Sequence, residues 1–245
     1  MKPIIDIHMH VLPDVDDGSQ SLAESTRMIR SSYEQGVRYA FCTSHSYMAY
    51  RDESSREHSY DMRNELGHHL FKDGYKVGIR LYMGSEVAYD TRDISDTIHK
   101  LNEGIIPTMN RTKFVLGDFW PTDFDYSEAE YVVKALLNAG YIPILAHVER
   151  YKMTSAETIK ALRDMGAYIQ INAYSVAEER NLITKNRAIE MLDNKLVDFI
   201  GSDAHRITHR PPMVEAGVKF MYENYDEEYI DAIVHDNAKK YLIGE

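Results

Sequence analysis

The chain has 245 residues and a formal net charge of −11, from 39 acidic and 28 basic side chains. This acidic balance argues against non-specific binding to nucleic acid, which needs a basic surface to displace counterions, although bound cations would reverse the sign locally. One cysteine, Cys42, excludes an internal disulfide, and no apolar run is long enough for a leader or a membrane span, so we expect a cytoplasmic protein.

Short β-branched runs alternate with longer stretches of helical periodicity, and no Pro/Gly/Ser-rich linker divides the chain, which predicts one domain over residues 1–245. The predicted strands are Pro3–His8, Val37–His45, Ile79–Glu86, Phe114–Phe119, Tyr141–His147, Ala167–Asn172 and Val197–Asp203. The predicted helices include Leu22–Gln35, Ser127–Asn138 and Glu157–Asp164. The long polar loop Tyr47–Tyr60 is either a lid or a plain connection.

Capping signals mark several of these helices. Ser21 and Ser127 each precede a glutamate by three residues, the spacing of a capping box. Glycines follow the helices where they should stop, at Gly36, Gly140 and Gly166.

The order of strands and helices predicts parallel βα units, either in a doubly wound open sheet or in a barrel. Almost every predicted strand ends in a histidine or a carboxylate. A barrel brings all of its strand ends around one mouth, whereas an open sheet gathers ligands at a single crevice. We therefore expect an α/β, TIM-like barrel with about seven strands.

Metal-ligand spacing is clearest at the first strand. His8 and His10 are two residues apart and so project to the same face, as a ready chelate for a transition metal. Further candidate ligands follow the other strands, namely Asp16, Asp17, His45, Glu86, Asp118, His147, Asp203 and His205.

A lone histidine is more often a hydrogen-bonded structural residue than a ligand, but the His-x-His and Asp-x-His pairs at strand ends favour a metal cluster. Nine or ten ligands exceed the needs of one ion, so two or three ions sharing a carboxylate fit better, and Mn, Fe or Zn suits the mixture of imidazole and carboxylate. The histidines in helical or loop contexts are expected to be structural: His68, His69, His99, His209 and His235.

Two arginines lie close to these ligands in sequence. A guanidinium beside a metal cluster is suited to hold phosphate, because its fork matches oxyanion geometry. For Arg150 the alternative is a salt bridge with Glu149, whereas Arg210 precedes two prolines that stiffen its loop and is the stronger candidate.

A cysteine-dependent phosphatase is a rival chemistry that the sequence rejects. Such an enzyme needs an arginine six residues after its nucleophile, and Met48 stands there instead. Cys42 falls within an apolar run and is interpreted as a small buried hydrophobe.

At these residues the chain resembles the PHP (polymerase and histidinol phosphatase) superfamily. The resemblance is carried by Asp6-Ile7-His8-Met9-His10, Ser44-His45, Gly84-Ser85-Glu86, Ala146-His147-Val148-Glu149-Arg150 and Ser202-Asp203-Ala204-His205. Within the superfamily, Asp14-Val15-Asp16-Asp17-Gly18 and Arg210-Pro211-Pro212 are most similar to the tyrosine-protein phosphatases of Gram-positive capsule and exopolysaccharide loci.

The resemblance implies a distorted (β/α)7 barrel that holds three divalent ions, commonly manganese or iron. The first ion would be held by His8, His10, Glu86 and Asp203; the second by Glu86, Asp118 and His147; the third by Asp17, His45 and His205. The superfamily usually has Glu at the position of Asp118, which makes this ligand a departure from the pattern. The implied partner is a tyrosine autokinase with a tyrosine-rich tail that regulates polysaccharide export.

The resulting hypothesis is hydrolysis of a phosphotyrosine protein by a metal-activated hydroxide, with the ions and Arg210 neutralising the phosphate oxygens and Arg150, Asp17 and His45 beside them. Asp6 shares the strand face of His8 and is either an acceptor that fixes an imidazole tautomer or a solvated residue. The alternatives are a histidinol phosphatase, a phosphodiesterase or nuclease on the same metals, and a metal-dependent docking module without activity.

Overall fold

The computed structural model describes residues 1–47, 60–120 and 125–245, and the paired strands within these ranges are all parallel. The strands are β1 (Ile4–Met9), β2 (Val37–Cys42), β3 (His45–Tyr47), β4 (Arg80–Met83), β5 (Glu86–Asp90), β6 (Phe114–Trp120), β7 (Ile142–Leu145), β8 (Tyr168–Asn172) and β9 (Phe199–Gly201). The α-helices are α1 (Leu22–Glu34), α2 (Tyr60–Val77), α3 (Ser95–Asn102), α4 (Tyr126–Asn138), α5 (Ala156–Asp164), α6 (Leu182–Asp193), α7 (Glu215–Asn224) and α8 (Glu227–Asp231). Short 3-10 turns lie at Met109–Arg111, Val148–Arg150 and Ala173–Ala177, and π-helical turns lie at Ala232–Asp236 and Lys239–Ile243.

The described strands occupy seven positions around a ring. Each position, called a stave here, holds either one strand or two strands in line. The pairing orders are β1-β2-β4 and β3-β5-β6-β7-β8-β9, and β3 and β5 continue the staves begun by β2 and β4. Two amides join the last stave to the first, since Asp203 N donates to His8 O and His10 N donates to Ala204 O, both at 2.8 Å. Each stave is followed by a helix, so the predicted α/β barrel of seven units is confirmed.

Two predicted strands are broken where the sequence looked continuous. Val37–His45 divides at Thr43-Ser44 and Ile79–Glu86 divides at Gly84-Ser85. Side-chain periodicity does not reveal these breaks, because the residues at each break are buried like those of the strands before them. The breaks turn His45 and Glu86 into the first residues of new strands that pair with each other.

The helix signals give a mixed result. Ser21 does cap α1, and Gly36, Gly140 and Gly166 adopt φ values of 92°, 88° and 118° after their helices, as predicted. The prediction of Ser127 as an N-cap is wrong, because Asp125 caps α4 and forms the capping box with Glu128. Both pairs have the same spacing, and a shift of two residues leaves the apolar face of the helix unchanged.

The interior of the barrel changes from apolar to acidic along its strands. On β6, Phe114, Leu116 and Asp118 are two residues apart and therefore point to the same face of the strand. Phe114 and Leu116 belong to a buried apolar cluster with Phe41 of β2. Leu242, in the second π-helical turn, belongs to the same cluster at the amino ends of the strands. The polar residues therefore collect at the opposite, carboxyl end.

Two remaining predictions concern membrane-spanning helices and a lid over the site. Within the described residues, every helix is too short or too polar to cross a lipid bilayer. The proposed lid in the loop Tyr47–Tyr60 falls on residues 48–59, which lie outside the described residues.

Candidate metal centre

Eight of the nine predicted metal ligands converge at the carboxyl ends of the strands. They form two groups of four, and in each group one ligand atom per residue lies within 4.8 Å of the others. The first group is His8, Glu86, His147 and Asp203, and the second is His10, Asp17, His45 and His205. The resemblance had placed His10 with His8 and had placed His147 apart from Asp203, so the grouping in space differs from that allocation.

Glu86 lies between the two groups and contacts both. Its Oε1 lies 2.9 Å from His147 Nε2, whereas its Oε2 lies 3.2 Å from His8 Nε2, 3.1 Å from His10 Nε2 and 3.2 Å from His45 Nδ1. The carboxylate is 1% exposed. A buried carboxylate in this position is suited to bridge two ions.

Backbone strain accompanies the first group. His147 and Asp203 adopt φ values of 36° and 52°, a left-handed conformation that costs free energy for residues other than glycine. These values re-aim both side chains at the end of their strands. Gly201 makes the close approach possible, since a Cβ there would lie 2.5 Å from His8 Cβ.

The second group depends on the turn after β1. Gly18 lies against His10, and a Cβ on it would be 2.3 Å from His10 O. This approach places Asp16 Oδ2 at 2.7 Å from both His10 Nδ1 and His45 N. Asp17 Oδ1 then lies 3.6 Å from both His45 Nε2 and His205 Nε2. Asp16 is a candidate ligand by its position in the sequence, but its contacts make it the residue that orients His10.

Strand β8 supplies two positioning residues that sequence analysis missed. Gln170 Oε1 accepts a hydrogen bond from His147 N at 2.8 Å and lies 3.2 Å from His8 Nδ1. Its Nε2 donates to Asn172 Oδ1 at 3.0 Å, and Asn172 Nδ2 donates to Asp203 Oδ2 at 3.3 Å. The two amides therefore connect three ligands of the first group. The available signal was a pair of polar residues two apart at a strand end, the same signal as at His8 and His10.

The donor atoms of this centre fit a bound cation. Asp16 Oδ2 lies at Nδ1 of His10 and Gln170 Oε1 lies at Nδ1 of His8, while the two Nε2 atoms face each other at 3.2 Å beside the Glu86 carboxylate. Two imidazole nitrogens so close to a buried carboxylate need positive charge between them, which a bound cation would supply. Asp17 Oδ1 and His147 Nδ1 are also buried atoms with no hydrogen-bond partner among the described residues. Both observations are what a set of metal ligands would show.

The pKa shifts of two imidazoles also indicate a site for positive charge. Burial disfavours a charged His10, but Asp16 and Glu86 outweigh it and raise the pKa of His10 to about 10. Burial and the neighbouring His10 lower the pKa of His205 to about 2. The centre attracts positive charge strongly but does not distribute it evenly among its imidazoles.

Asp118 stands outside both groups. It is half-buried on β6, and burial together with the charge of Glu86 raises the pKa of its carboxyl well above the usual range. A cation between the two carboxylates would relieve this repulsion. Its role as a ligand stays a prediction.

Arg150 and Arg210 meet at one oxygen of the centre. Arg150 Nη1 donates to Asp203 Oδ2 at 2.7 Å and Arg210 Nη1 donates to the same atom at 3.2 Å. The alternative of a salt bridge between Arg150 and Glu149 is wrong, because the buried Glu149 accepts from Asn172 N and Ser175 Oγ. Each guanidinium keeps further N–H groups, and the side chains of Arg150 and Arg210 are 45% and 37% exposed.

Two other residues act on the backbone of the site. Asp6 is fully buried, and its Oδ1 accepts from His8 N at 3.1 Å and from Ser202 N at 2.9 Å, so it holds backbone amides and neither alternative, an imidazole acceptor or a solvated residue, describes it. Arg63 was missed: this fully buried side chain donates to Ser44 O and to His45 O at 2.7 and 2.6 Å. It holds the broken stave in the conformation that presents His45.

A cavity of about 670 Å³ adjoins the arginines. Its lining includes Arg150, Asp203 and Arg210, and it continues along Tyr174 and the segment 178–181 to Met213. The metal centre is therefore open to solvent on the side where the guanidinium groups lie.

Nearly the whole chain is similar to known proteins. The chain matches the family model described as capsular polysaccharide synthesis, CpsB/CapC, over residues 4–243. It is 31% identical to the tyrosine-protein phosphatase CpsB of Streptococcus agalactiae over 98% of both chains, and 29% identical to the tyrosine-protein phosphatase YwqE of Bacillus subtilis over 98% of this chain and 91% of that one.

The fold also has solved counterparts. A chain from the crystal structures of YwqE from Bacillus subtilis and CpsB from Streptococcus pneumoniae, described as unique metal-dependent tyrosine phosphatases, superposes with a TM-score of 0.83 at 24% identity. The match covers 99% of this chain and 95% of that one. With the family model matched over nearly the whole sequence, the chain belongs to the CpsB/CapC family of capsular polysaccharide synthesis.

Proposed function

We propose that this protein is a metal-dependent protein-tyrosine phosphatase, a phosphoric monoester hydrolase. One observation carries the proposal: two groups of four candidate metal ligands meet at Glu86 and lie directly against two partly exposed arginines. The relatives named tyrosine-protein phosphatase support the same activity.

The ligand set is proposed to hold three divalent ions, as the family resemblance implies, with manganese first and iron or zinc as alternatives. His8, His10, Asp17, His45, Glu86, His147, Asp203 and His205 would hold them, with Asp118 as a further ligand. When bound, the ions would activate a water molecule and offset the charge of the phosphate.

The remaining chemistry belongs to the chain's own residues. Arg150 and Arg210 would bind phosphate oxygens through the N–H groups that Asp203 leaves free, and Asp203 would keep the two guanidinium groups in place. Gln170 and Asp16 would hold the imidazole tautomers. Cys42 takes no part, because it is 0% exposed and burial raises the pKa of its thiol to about 12.

The proposed substrate is a phosphotyrosine protein of a capsule or exopolysaccharide locus, namely a tyrosine autokinase with a tyrosine-rich tail. The family assignment supports this partner, and the single buried free cysteine agrees with a cytoplasmic site of action.

The test pairs metal analysis with hydrolysis. Freshly purified protein should contain divalent metal and release phosphate from a phosphotyrosyl peptide; a chelator should abolish the release and manganese should restore it. Replacing His8 and Asp203 together by Ala should remove metal and activity, whereas His99→Ala, at an exposed position on α3, should change neither. Hydrolysis that persists after the metal has been removed would refute the proposal.

Parallel assays separate the alternative activities. Faster turnover of histidinol phosphate than of the phosphotyrosyl peptide would favour a small-molecule phosphatase. Faster hydrolysis of a bis-aryl phosphodiester than of an aryl monoester would favour a phosphodiesterase.

A further inference from the structure

The cavity beside the arginines is larger than the phosphate site needs. Cavities of about 300–1,000 Å³ hold whole drug-sized ligands. At about 670 Å³, this one has room for more than a phosphorylated ring held by Arg150 and Arg210. The part beyond the arginines is lined by Tyr174, by residues of the segment 178–184 and by Met213.

Large apolar side chains are exposed at this outer part. Leu182 and Ile183 are 61% and 65% exposed and stand directly between Asn181 and Thr184, which both line the cavity. Met213, which lines the cavity itself, is 37% exposed. Both residues stand in the first turn of α6 and are mostly exposed, so neither packs in the core. Exposed apolar residues that border a cavity are typical of a binding surface.

The charge of the wall narrows the choice of occupant. Glu178 and Glu179 line the cavity together with Arg180, so two carboxylates and one guanidinium leave its outer wall with a net negative charge. An acidic group held there would be repelled, while the phosphate itself is held farther in by the two arginines. The occupant therefore carries its anionic group at one end and apolar groups, without further acidic ones, at the other.

We propose that this cavity is a subsite for the peptide chain that flanks the phosphotyrosine, and that an apolar residue next to the phosphotyrosine binds against Met213, Leu182 and Ile183. The inference rests on the proposed phosphatase function, with whose phosphate site the cavity is continuous. It assigns to these three side chains, together with Glu178 and Glu179, a preference for apolar over acidic flanks. Tyr174 supplies an aromatic surface between the phosphate site and the apolar rim.

The test compares substrates that differ only beside the phosphotyrosine. Three phosphotyrosyl peptides carry Leu, Ser or Asp at the flanking positions, and p-nitrophenyl phosphate serves as the substrate without a flank. On the metal-loaded wild-type protein, kcat/KM should fall from Leu to Ser to Asp. The double variant Leu182→Ser/Ile183→Ser and the variant Met213→Ser should each lower kcat/KM for the Leu peptide by about tenfold and leave p-nitrophenyl phosphate within about twofold.

A matched control uses another exposed apolar position. Tyr75 on α2 is 83% exposed and lines a different cavity with Pro3 and Arg38, at the amino ends of the strands. Tyr75→Ser should change no substrate. Glu178→Gln/Glu179→Gln should raise kcat/KM for the Asp peptide relative to the Ser peptide.

Each contrary outcome is informative. If the rim variants lower kcat/KM for the peptide and for p-nitrophenyl phosphate equally, or change neither, the subsite is refuted while the phosphatase function stands. If the three peptides are hydrolysed equally well by the wild type, the subsite is likewise refuted. If the wild type hydrolyses none of the phosphotyrosyl substrates in the presence of metal, the proposed function fails and this inference fails with it.

Discussion

Gln170 is the side chain whose removal best tests the proposed architecture of the metal centre. It is fully buried on β8 and makes three contacts: with His147 N, with His8 Nδ1 and with Asn172 Oδ1. The substitution Gln170→Leu keeps most of the side-chain volume but removes all three contacts. His8 then loses the acceptor that holds its proton on Nδ1.

The expected loss follows from the role of residues that orient ligands. Removing a hydrogen-bond partner of a metal-bound histidine typically lowers metal affinity by about 10- to 100-fold, or about 1.4–2.7 kcal/mol. The unpaired His147 amide should also lower the free energy of unfolding of the metal-free protein by about 1–3 kcal/mol. Gln170→Glu keeps an acceptor for His8 and His147, although a carboxylate oxygen replaces the donor to Asn172, so it should recover part of the affinity for metal.

Manganese titration of the metal-free protein measures the affinity directly, and denaturant unfolding measures stability. Gln35→Leu is the matched control: Gln35 also joins two segments, since it donates to Pro212 O and accepts from Val214 N, but it touches none of the ligands. It should lower stability without weakening metal binding. Wild-type manganese affinity in a folded Gln170→Leu protein would refute the positioning role.

Three further substitutions have direct expectations. Gly18→Ala should destabilise the metal-free protein by about 1–3 kcal/mol in thermal unfolding and weaken metal binding, because its Cβ would lie 2.3 Å from His10 O; an unchanged protein would contradict the close packing of this turn. Cys42→Ala should retain phosphotyrosine hydrolysis, and native Cys42 should react with thiol reagents only on unfolding; loss of activity with metal still bound would reinstate a cysteine nucleophile. Leu242→Ala should lower the free energy of unfolding by about 2–5 kcal/mol while kcat stays unchanged at low temperature, which a denaturant titration and a cold assay would check.

The sequence predicts the barrel well because two independent patterns agree. Apolar runs mark each stave, and polar ligands mark the end at which the staves converge. His8 and His10, two residues apart on a strand, already point to one face, and the distant Glu86 and Asp203 follow from their positions after other strands. A period of two within a strand and a common carboxyl end for parallel strands are sufficient for this inference.

The residues that orient the ligands are harder to predict, because their partners are distant in sequence and their types are ordinary. Gln170 contacts His8 across 162 positions, and the polar pair that it forms with Asn172 at a strand end does not by itself indicate which ligand it orients. Asp16 and Asp17 are neighbours of the same type, and only the fold of the Gly18 turn decides which one orients His10. Arg63 acts on the backbone of His45, a contact that no side-chain pattern records.

The charges of the candidate site favour joint binding of cations and phosphate. Glu86 and Asp203 are buried, their carboxyl pKa values are lowered, and Asp203 already engages both Arg150 and Arg210. A phosphate dianion that approaches the metal-free chain therefore meets carboxylates whose charge the arginines only partly offset, in a protein whose formal net charge is −11.

Bound divalent ions would cancel the carboxylate charge and leave the guanidinium groups to attract the phosphate. By linkage, the phosphate must then strengthen metal binding by the same factor by which the metals strengthen phosphate binding. The acidic composition argues against binding of nucleic acid but is compatible with an anionic substrate, because the bound metal ions would supply the positive charge.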